Sequence, residues 1–417
     1  MRTGVKEKRE QEQCTVTEEQ RKTPVAGSFD VLVAGGGVAG IAAALAAARK
    51  GAKVVLVEKQ CALGGLATLG LITIYLPLCD GMGNQVIHGI GEELLKLSIK
   101  YGYEDLYPRA WLENGTLEAK KEKRYAVRYN AQLFALCSEE LLVKERVRIL
   151  YDARITSVHK SGNCIDAVIV DNKEGHLAIQ VKTVVDATGD ADICFFAGEK
   201  VVVNDRNKLA LWYYYAGKKG IGLRQYPSFE DLIYNGLECF NGVLTEDINR
   251  MIIHGHEELL HDILELRRKE NDSTIVPVTI PTVPEFRMTR RLSGLYEMGE
   301  NEVFKVFEDS IGMTGDWRKR GPVFNIPFGC LYGDKIKNLI TCGRCISVKD
   351  DMWDITRVIP TCAVTGEAAG TAAALLVKSG KEGYHKLDVS ELQAHLILQG
   401  VKINARIGLD LKKPITS

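Results

Sequence analysis

The stretch Phe29-Asp30-Val31-Leu32-Val33-Ala34-Gly35-Gly36-Gly37-Val38-Ala39-Gly40 decides how the rest of the chain is read. Its first half is a β-rich apolar run, and its glycines open the Ala-rich helical stretch Val38 to Lys50, which Gly51 closes. Lys53-Val54-Val55-Leu56-Val57-Glu58 follows as a second apolar strand, so a βαβ unit is expected. Neither strand alternates polar with apolar residues, the pattern of a parallel sheet covered on both faces. Gly35, Gly37 and Gly40 fill the glycine positions of a dinucleotide fingerprint. The first permits a tight turn, the second lets a pyrophosphate reach N–H groups at a helix start, and the third lets helix and strand pack closely. Glu58 stands 21 residues beyond Gly37, at the end of the second strand, where a carboxylate accepts hydrogen bonds from ribose hydroxyls. Its charge repels a 2′-phosphate, which disfavours NADP and leaves FAD and NAD open.

Working outward, Gly89 to Lys100 and Asn130 to Lys144 have helical spacing, and Val147 to Leu150 reads as another parallel strand. Ala153 to Lys160, Cys164 to Asn172 and His176 to Val185 alternate around turns at Ser161-Gly162-Asn163 and Lys173-Glu174-Gly175, a β-meander. From about 200 to 325 the chain is richer in aromatics and Pro and carries a charged helix around Glu246 to Arg268. Asn338-Leu339-Ile340-Thr341 then resumes the strand pattern, and Pro360 to Lys378 is a second Gly/Ala-rich helix. The expected fold is α/β: a Rossmann-like dinucleotide-binding domain, parallel sheet plus β-meander, over 25–199 and 326–417. A mixed α+β substrate or cap domain at 200–325 interrupts it, and a charged, mobile arm at 1–24 precedes it.

Composition narrows the function classes. At 417 residues, two or three folding units are expected from roughly 150 residues each, and 46% hydrophobic residues are enough for a large core. The 54 Lys plus Arg balance the 54 Asp plus Glu, so no broad positive field drives phosphate-backbone binding and no nucleic-acid partner is expected. The first residues are charged and the 11 Cys are scattered, which points to reduced thiols in a cytoplasmic protein. Val31 to Ala48 and Cys61 to Cys79 lack charge for long enough to imitate a membrane span, but both are interrupted by glycines, so no span is expected. The oligomeric state is left open, a homo-oligomer included.

Where Glu58 runs into Lys59-Gln60-Cys61-Ala62-Leu63-Gly64-Gly65-Leu66-Ala67-Thr68, the chain resembles FAD-dependent oxidoreductases of the glutathione-reductase structural class. It is closer to the bacterial family known simply as FAD-dependent oxidoreductases. Thr183 to Asp190 resembles that family's second flavin motif, Asn338 to Asp351 its late strand and loop, and Arg357 to Ala374 (RVIPTCAVTGEAAGTAAA) its closing helix. The resemblance implies FAD as cofactor. It implies that Gly35, Gly37 and Gly40, with Val38 and Ala39 between them, hold the pyrophosphate, and that Glu58, with Lys59 beside it, holds the adenosine ribose. Gly64, Gly65, Leu66, Ala67 and Thr68 would pass beside the pyrophosphate and flavin edge, Ala187, Thr188, Gly189 and Asp190 would lie near the ribityl chain, and Gly366 and Gly370 would aim a helix N-terminus at the flavin. Glu367 departs from the family, in which an amide is more familiar. A second, NAD-type fingerprint is absent, because Gly217-Lys218-Lys219-Gly220-Ile221-Gly222 lacks the spacing and the strand.

Several residue groups carry candidate chemistry. Arg287, Arg290 and Arg291 are spaced to share a helix face, where guanidinium groups would recognise an anionic substrate or steady reduced flavin; salt bridges to Glu297 or Glu300 are the plainer alternative. Arg357 precedes the closing helix, and Trp353-Asp354 is expected in a loop over the flavin. Cys342-Gly343-Arg344-Cys345 reads as packing ahead of a redox dithiol or half a zinc site, and no metal is expected. Trp212 and Tyr213 to Tyr215, His88 as a flavin tether, and His254, His256 and His261 are weaker candidates than their structural roles. The functional expectation is an FAD-dependent oxidoreductase that moves a hydride or electron pair between a small organic substrate and flavin N5, with Arg357, Arg287, Arg291 and Asp354 at the chemistry. A flavin monooxygenase and a non-catalytic nucleotide-binding partner protein are the alternatives.

Overall fold

The computed structural model describes residues 16–17, 20–227 and 238–404. Most of the arm expected at 1–24, and positions 405–417 of the segment expected to bind FAD, lie outside the described residues. The central sheet runs in the order Arg148–Leu150, Val54–Val57, Val25–Ala34, Gly175–Asp186, Cys164–Asn172, Arg154–Ser161. Its first four strands are parallel and its last two complete an antiparallel meander.

Absence of alternation in the first strand has a direct cause. Val31 and Val33 point into one hydrophobic core and Leu32 into a second on the opposite face of the sheet, and all three are fully buried. Val54 and Leu56 likewise face the first core, and Val55 and Val57 the second. Each such side chain contributes about 1.5–3 kcal/mol on burial, which makes this pair of strands the anchor of the fold.

Gly175–Asp186 is forked. Its first half pairs with Cys164–Asn172, and Val184 to Asp186 pair in parallel with Leu339–Thr341, so the chain returns to the sheet after the inserted segment. Asn338 holds the fork. Its amide accepts from Ile165 N–H at 2.8 Å and donates to the Ile165 and Lys182 carbonyls at 2.7 and 2.8 Å.

Residues between 200 and 325 feed several cores. Leu211–Gly217, flanked by Gly220–Tyr226 and Val276–Thr279, packs Leu211 and Tyr213 against Leu259, Ile263 and Leu266 of helix Thr245–Glu270. The hairpin Ser310–Gly315/Val323–Pro327 instead sends Ile311, Met313 and Phe324 into the core beside the central sheet. Gly217 and Gly220 flank a two-residue hairpin turn, which accounts for a glycine run without nucleotide spacing.

Helices Val38–Arg49 and Ile359–Ser379 lie side by side. A methyl carbon added at Gly366 would collide with the Ala39 carbonyl oxygen, and one at Gly370 with the Ala43 carbonyl oxygen. These contacts rise together along both chains, so the helices are parallel. Gly366 is seven residues into its helix while Ala39 is one residue into its own, so the closing helix begins roughly 9 Å ahead at 1.5 Å per residue. Ile359–Ser379 is long and apolar enough to cross a bilayer, but 94% of its apolar window is buried in the protein.

Glu367 sits in that interior. Its Oε2 accepts the Ile90 N–H at 2.8 Å and caps helix Ile90–Ser98 from across the fold, and the Gln399 amide donates to Oε1 at 2.9 Å. Burial pushes this carboxyl up to about 8. The folded form keeps its proton where the unfolded chain has lost it, so stability falls as pH rises from about 4.5 to about 8. Glu367→Gln should be the more stable protein at pH 8 by about 1 kcal/mol or more and should flatten this slope in urea titrations at pH 5 and pH 8. Gly370→Ala, despite the better helix propensity of Ala, should lower the unfolding free energy by about 2 kcal/mol through overpacking, read from the urea midpoint.

Candidate functional site

Parallel strands end at Ala34, Val57, Asp186 and Thr341, and beyond those ends lies a cleft of about 500 Å³. This is the position where open α/β sheets receive ligands. Gly35, Gly37, Val38 and Ala39 line it from the first turn, Glu58 and Lys59 from the second strand end, and Ala187, Thr188, Gly189 and Asp190 from the third. Gly64, Gly65, Leu66 and Ala67 form one side, and Gly343, Arg344, Arg357, Val358 and Ile359 the other. From the inserted segment, Gly242, Ile248, Val283, Pro284, Phe286 and Arg287 cover it.

The glycines divide by task. A side chain at Gly37 would meet nothing within 4 Å, so the backbone there faces open cleft. Gly40 does not line the cleft; a methyl carbon there would strike the Gly35 carbonyl oxygen, so this position serves helix-to-strand packing. Gly35 has φ 100°, which its turn requires. Glu58 is buried, its Oε2 accepting from Gly36 N–H at 2.6 Å and its Oε1 from Gln60 N–H at 2.8 Å, an arrangement that fixes the carboxylate at the cleft edge.

Several expected residues lie elsewhere. Thr68 is behind the cleft wall, its hydroxyl donating to the Leu63 carbonyl at 2.5 Å and bracing the Gly64-Gly65 turn. Gly366 and Gly370 are helix–helix contacts outside the lining; the end of their helix that does open on the cleft is Val358-Ile359, seven residues earlier. Trp353-Asp354 is part of helix Asp350–Thr356, not of a loop. Asp354 pairs with Arg357 from outside the cleft, and Trp353 Nε1 donates to the Arg344 carbonyl at 2.8 Å.

The shared helix face expected for Arg287, Arg290 and Arg291 does not form. Arg290–Leu292 is a strand antiparallel to Val201–Val203, and its alternation sends the neighbouring arginines apart. Arg290 meets Asp192 at 2.5 Å and stacks on Phe195, while Arg291 meets Glu297 at 2.6 Å and stacks on Trp353. Neither lines the cleft. Arg287, in the irregular segment before the strand, does, and its Nη2 lies 3.0 Å from Glu285 Oε2. Burial pulls the Arg287 guanidinium below its usual range, opposed by Glu285 and reinforced by Arg357 and Arg344. Burial pushes Glu285 up to about 7 even beside Arg287.

Arg344 was missed as a site residue. Its guanidinium lies 3.3 Å from Asp190 Oδ1 and donates to the Phe286 carbonyl, tying the sheet end to the covering segment. The available signal was its place just after strand Leu339–Thr341, at a carboxyl end. Cys342 and Cys345 are unpaired and buried, and burial pushes both thiols up, which disfavours the thiolate a redox dithiol needs. Among the described residues no group of three or more His, Cys, Asp or Glu could hold a metal. Tyr213 and Tyr214 turn to Asp262 and Glu104, and His88 lines a separate pocket with Lys50 and Glu367.

What fits this cleft is an extended anion. Helices Val38–Arg49 and Ile359–Ser379 both begin at it, at Gly37 and Val358, and neither of these N-cap residues makes a side-chain capping hydrogen bond. Such ends carry unsatisfied N–H groups and partial positive charge. With the open backbone at Gly37 and the ribose-type carboxylate of Glu58 at the opposite strand end, the donor set suits the phosphates and hydroxyls of FAD.

The model of the FAD dependent oxidoreductase family matches residues 30–211 and 238–396. A thioredoxin reductase from Ureaplasma parvum serovar 3 is 34% identical over 76 residues, 18% of this chain and 25% of that protein, so the match spans a quarter of that relative. Among solved structures, p-nitrophenol 4-monooxygenase PnpA from Pseudomonas putida DLL-E4 is 12% identical, with 89% of this chain and 84% of that one covered at a TM-score of 0.49. A geranylgeranyl bacteriochlorophyll reductase-like protein from Thermoplasma acidophilum is 14% identical over 92% of this chain and 94% of that one at a TM-score of 0.44. At these similarities neither bears on the reaction. The chain belongs to the FAD dependent oxidoreductase family, an enzyme family whose cofactor is FAD.

Proposed function

We propose that this enzyme transfers a hydride or electron pair between a small organic substrate and FAD N5. The observation that carries the reading is the single cleft joining an open glycine turn, a second uncapped helix end and an arginine-bearing cover. Bound FAD supplies a carrier that accepts or releases a hydride. The chain supplies the rest. Backbone N–H groups around Gly37 and Gly64-Gly65 hold the pyrophosphate, Glu58 takes ribose hydroxyls, and Asp190 takes the ribityl chain. Arg357 and the first turn beginning at Ile359 place positive potential beside the ring, where reduction builds negative charge. Ile72, Ile74, Val283 and Phe286 line the same cleft with apolar surface that excludes water from the transfer.

Gly37 tests the cofactor assignment apart from folding. Its extended backbone, φ −66° and ψ 176°, is open to Ala. Gly37→Ala should leave the unfolding free energy of FAD-free protein within about 0.5 kcal/mol of the parent yet weaken FAD binding at least about tenfold, by flavin fluorescence titration. Gly40→Ala should instead lose about 2 kcal/mol of stability. For the reaction itself, anaerobic screening of metabolites against the FAD-loaded enzyme should find one that bleaches the flavin absorbance. A protein that takes up no FAD would defeat the reading, and oxygen-dependent transfer of an oxygen atom to product would assign monooxygenation.

A further inference from the structure

We infer that the substrate is an organic carboxylate with an apolar body, its carboxylate received between Arg287 and Arg357. This rests on the oxidoreductase reading and names the class of molecule that reading acts upon.

Arg154, Arg287, Arg344 and Arg357 line the cleft, and they are not equivalent; the last three each stand beside a carboxylate. Arg344 commits both terminal nitrogens, Nη1 to the Phe286 carbonyl and Nη2 to Asp190. Arg287 uses Nη2 toward Glu285 and Arg357 uses Nη2 toward Asp354, but among the described residues Arg287 Nη1 and Arg357 Nε are buried without a hydrogen-bond partner. Each unmade buried donor costs about 1–3 kcal/mol, more when charged, so the site as it stands is incomplete. One guanidinium comes from the covering segment and one from the residue before the closing helix, and both residues line the cleft, so an anion bound between them would meet positive charge from both.

The helix offset sets this arginine pair apart from the pyrophosphate end of the cleft. Arg357 precedes a helix that begins roughly 9 Å ahead of the helix at the glycine turn. A carboxylate offers one oxygen to each of the two free donors. The walls decide the remainder of the molecule: Leu69, Ile72, Ile74, Val283, Pro284 and Phe286 offer hydrocarbon and aromatic surface, suited to an aliphatic or aromatic body and not to a sugar or a polyol.

The test titrates FAD-loaded enzyme with hexanoate and with phenylacetate, and in parallel with hexanamide and phenylacetamide, following flavin difference absorbance. At least one acid should give a saturable spectral change, and its amide should bind about 30-fold or more weakly. Arg287→Gln and Arg357→Gln should each weaken the acid about tenfold or more, and Arg287→Gln should keep FAD content at the parent level. Equal binding of acid and amide, no response to either acid, or variants that bind the acid like the parent would overturn the inference while leaving the oxidoreductase reading intact. Loss of FAD from Arg287→Gln would also overturn it, assigning that arginine to the cofactor. A parent enzyme that holds no FAD would remove the reading beneath it and the inference together.

Discussion

Two helices that start uncapped at one cleft are the constraint on which the rest of this structure depends. Neither N-cap residue satisfies the first-turn N–H groups with a side chain, and both helix ends open on the cleft at the strand ends. Everything nearby serves that geometry. Gly40 lets the first helix approach its strand, and Gly366 and Gly370 let the second helix lie against the first. The strands beneath are buried on both faces, so the platform that aims the helix ends is held by two cores, not one.

Above that platform the electrostatics are deliberately unbalanced toward positive charge. Arg287, Arg344 and Arg357 each have one carboxylate partner, Glu285, Asp190 and Asp354 in turn, and among the described residues Arg287 Nη1 and Arg357 Nε are left without a hydrogen-bond partner. Burial pushes Glu285 up to about 7, which weakens the negative charge it sets against Arg287 near neutral pH. Arg154, Arg287, Arg344, Arg357 and Lys59 outnumber Glu58, Asp190 and Asp192 along the cleft, a surplus of positive charge that an anionic ligand relieves.

Much of the fold was legible in local sequence, because its decisive signals are local. The glycine turn, the apolar strand pair and Glu58 each follow from the run that begins at Phe29, and the meander announces itself through turn residues at fixed intervals. The arginines were less legible. Spacing of three and four residues suggested a helix through Arg287, Arg290 and Arg291, but pairing of Arg290–Leu292 with Val201–Val203, almost 90 residues away, overrode it and turned Arg291 from the cleft. Gly366 and Gly370 carried a true signal of close approach, but a sequence cannot name the partner, and the partner is Ala39 and Ala43 rather than the cofactor. Arg344 was hidden between cysteines whose spacing drew attention to metal and redox chemistry.

The stagger between the two core helices has a further meaning. Because small residues set their register, the lattice of Gly366 on Ala39 and Gly370 on Ala43 works as a ruler between the phosphate-binding end of the cleft and its arginine end. Sliding one helix by a single turn would shift that interval by about 5.4 Å, half or more of its present span. A homologue with bulkier residues at these positions would have to bow its helices apart, and the length of ligand it could hold taut would change with them.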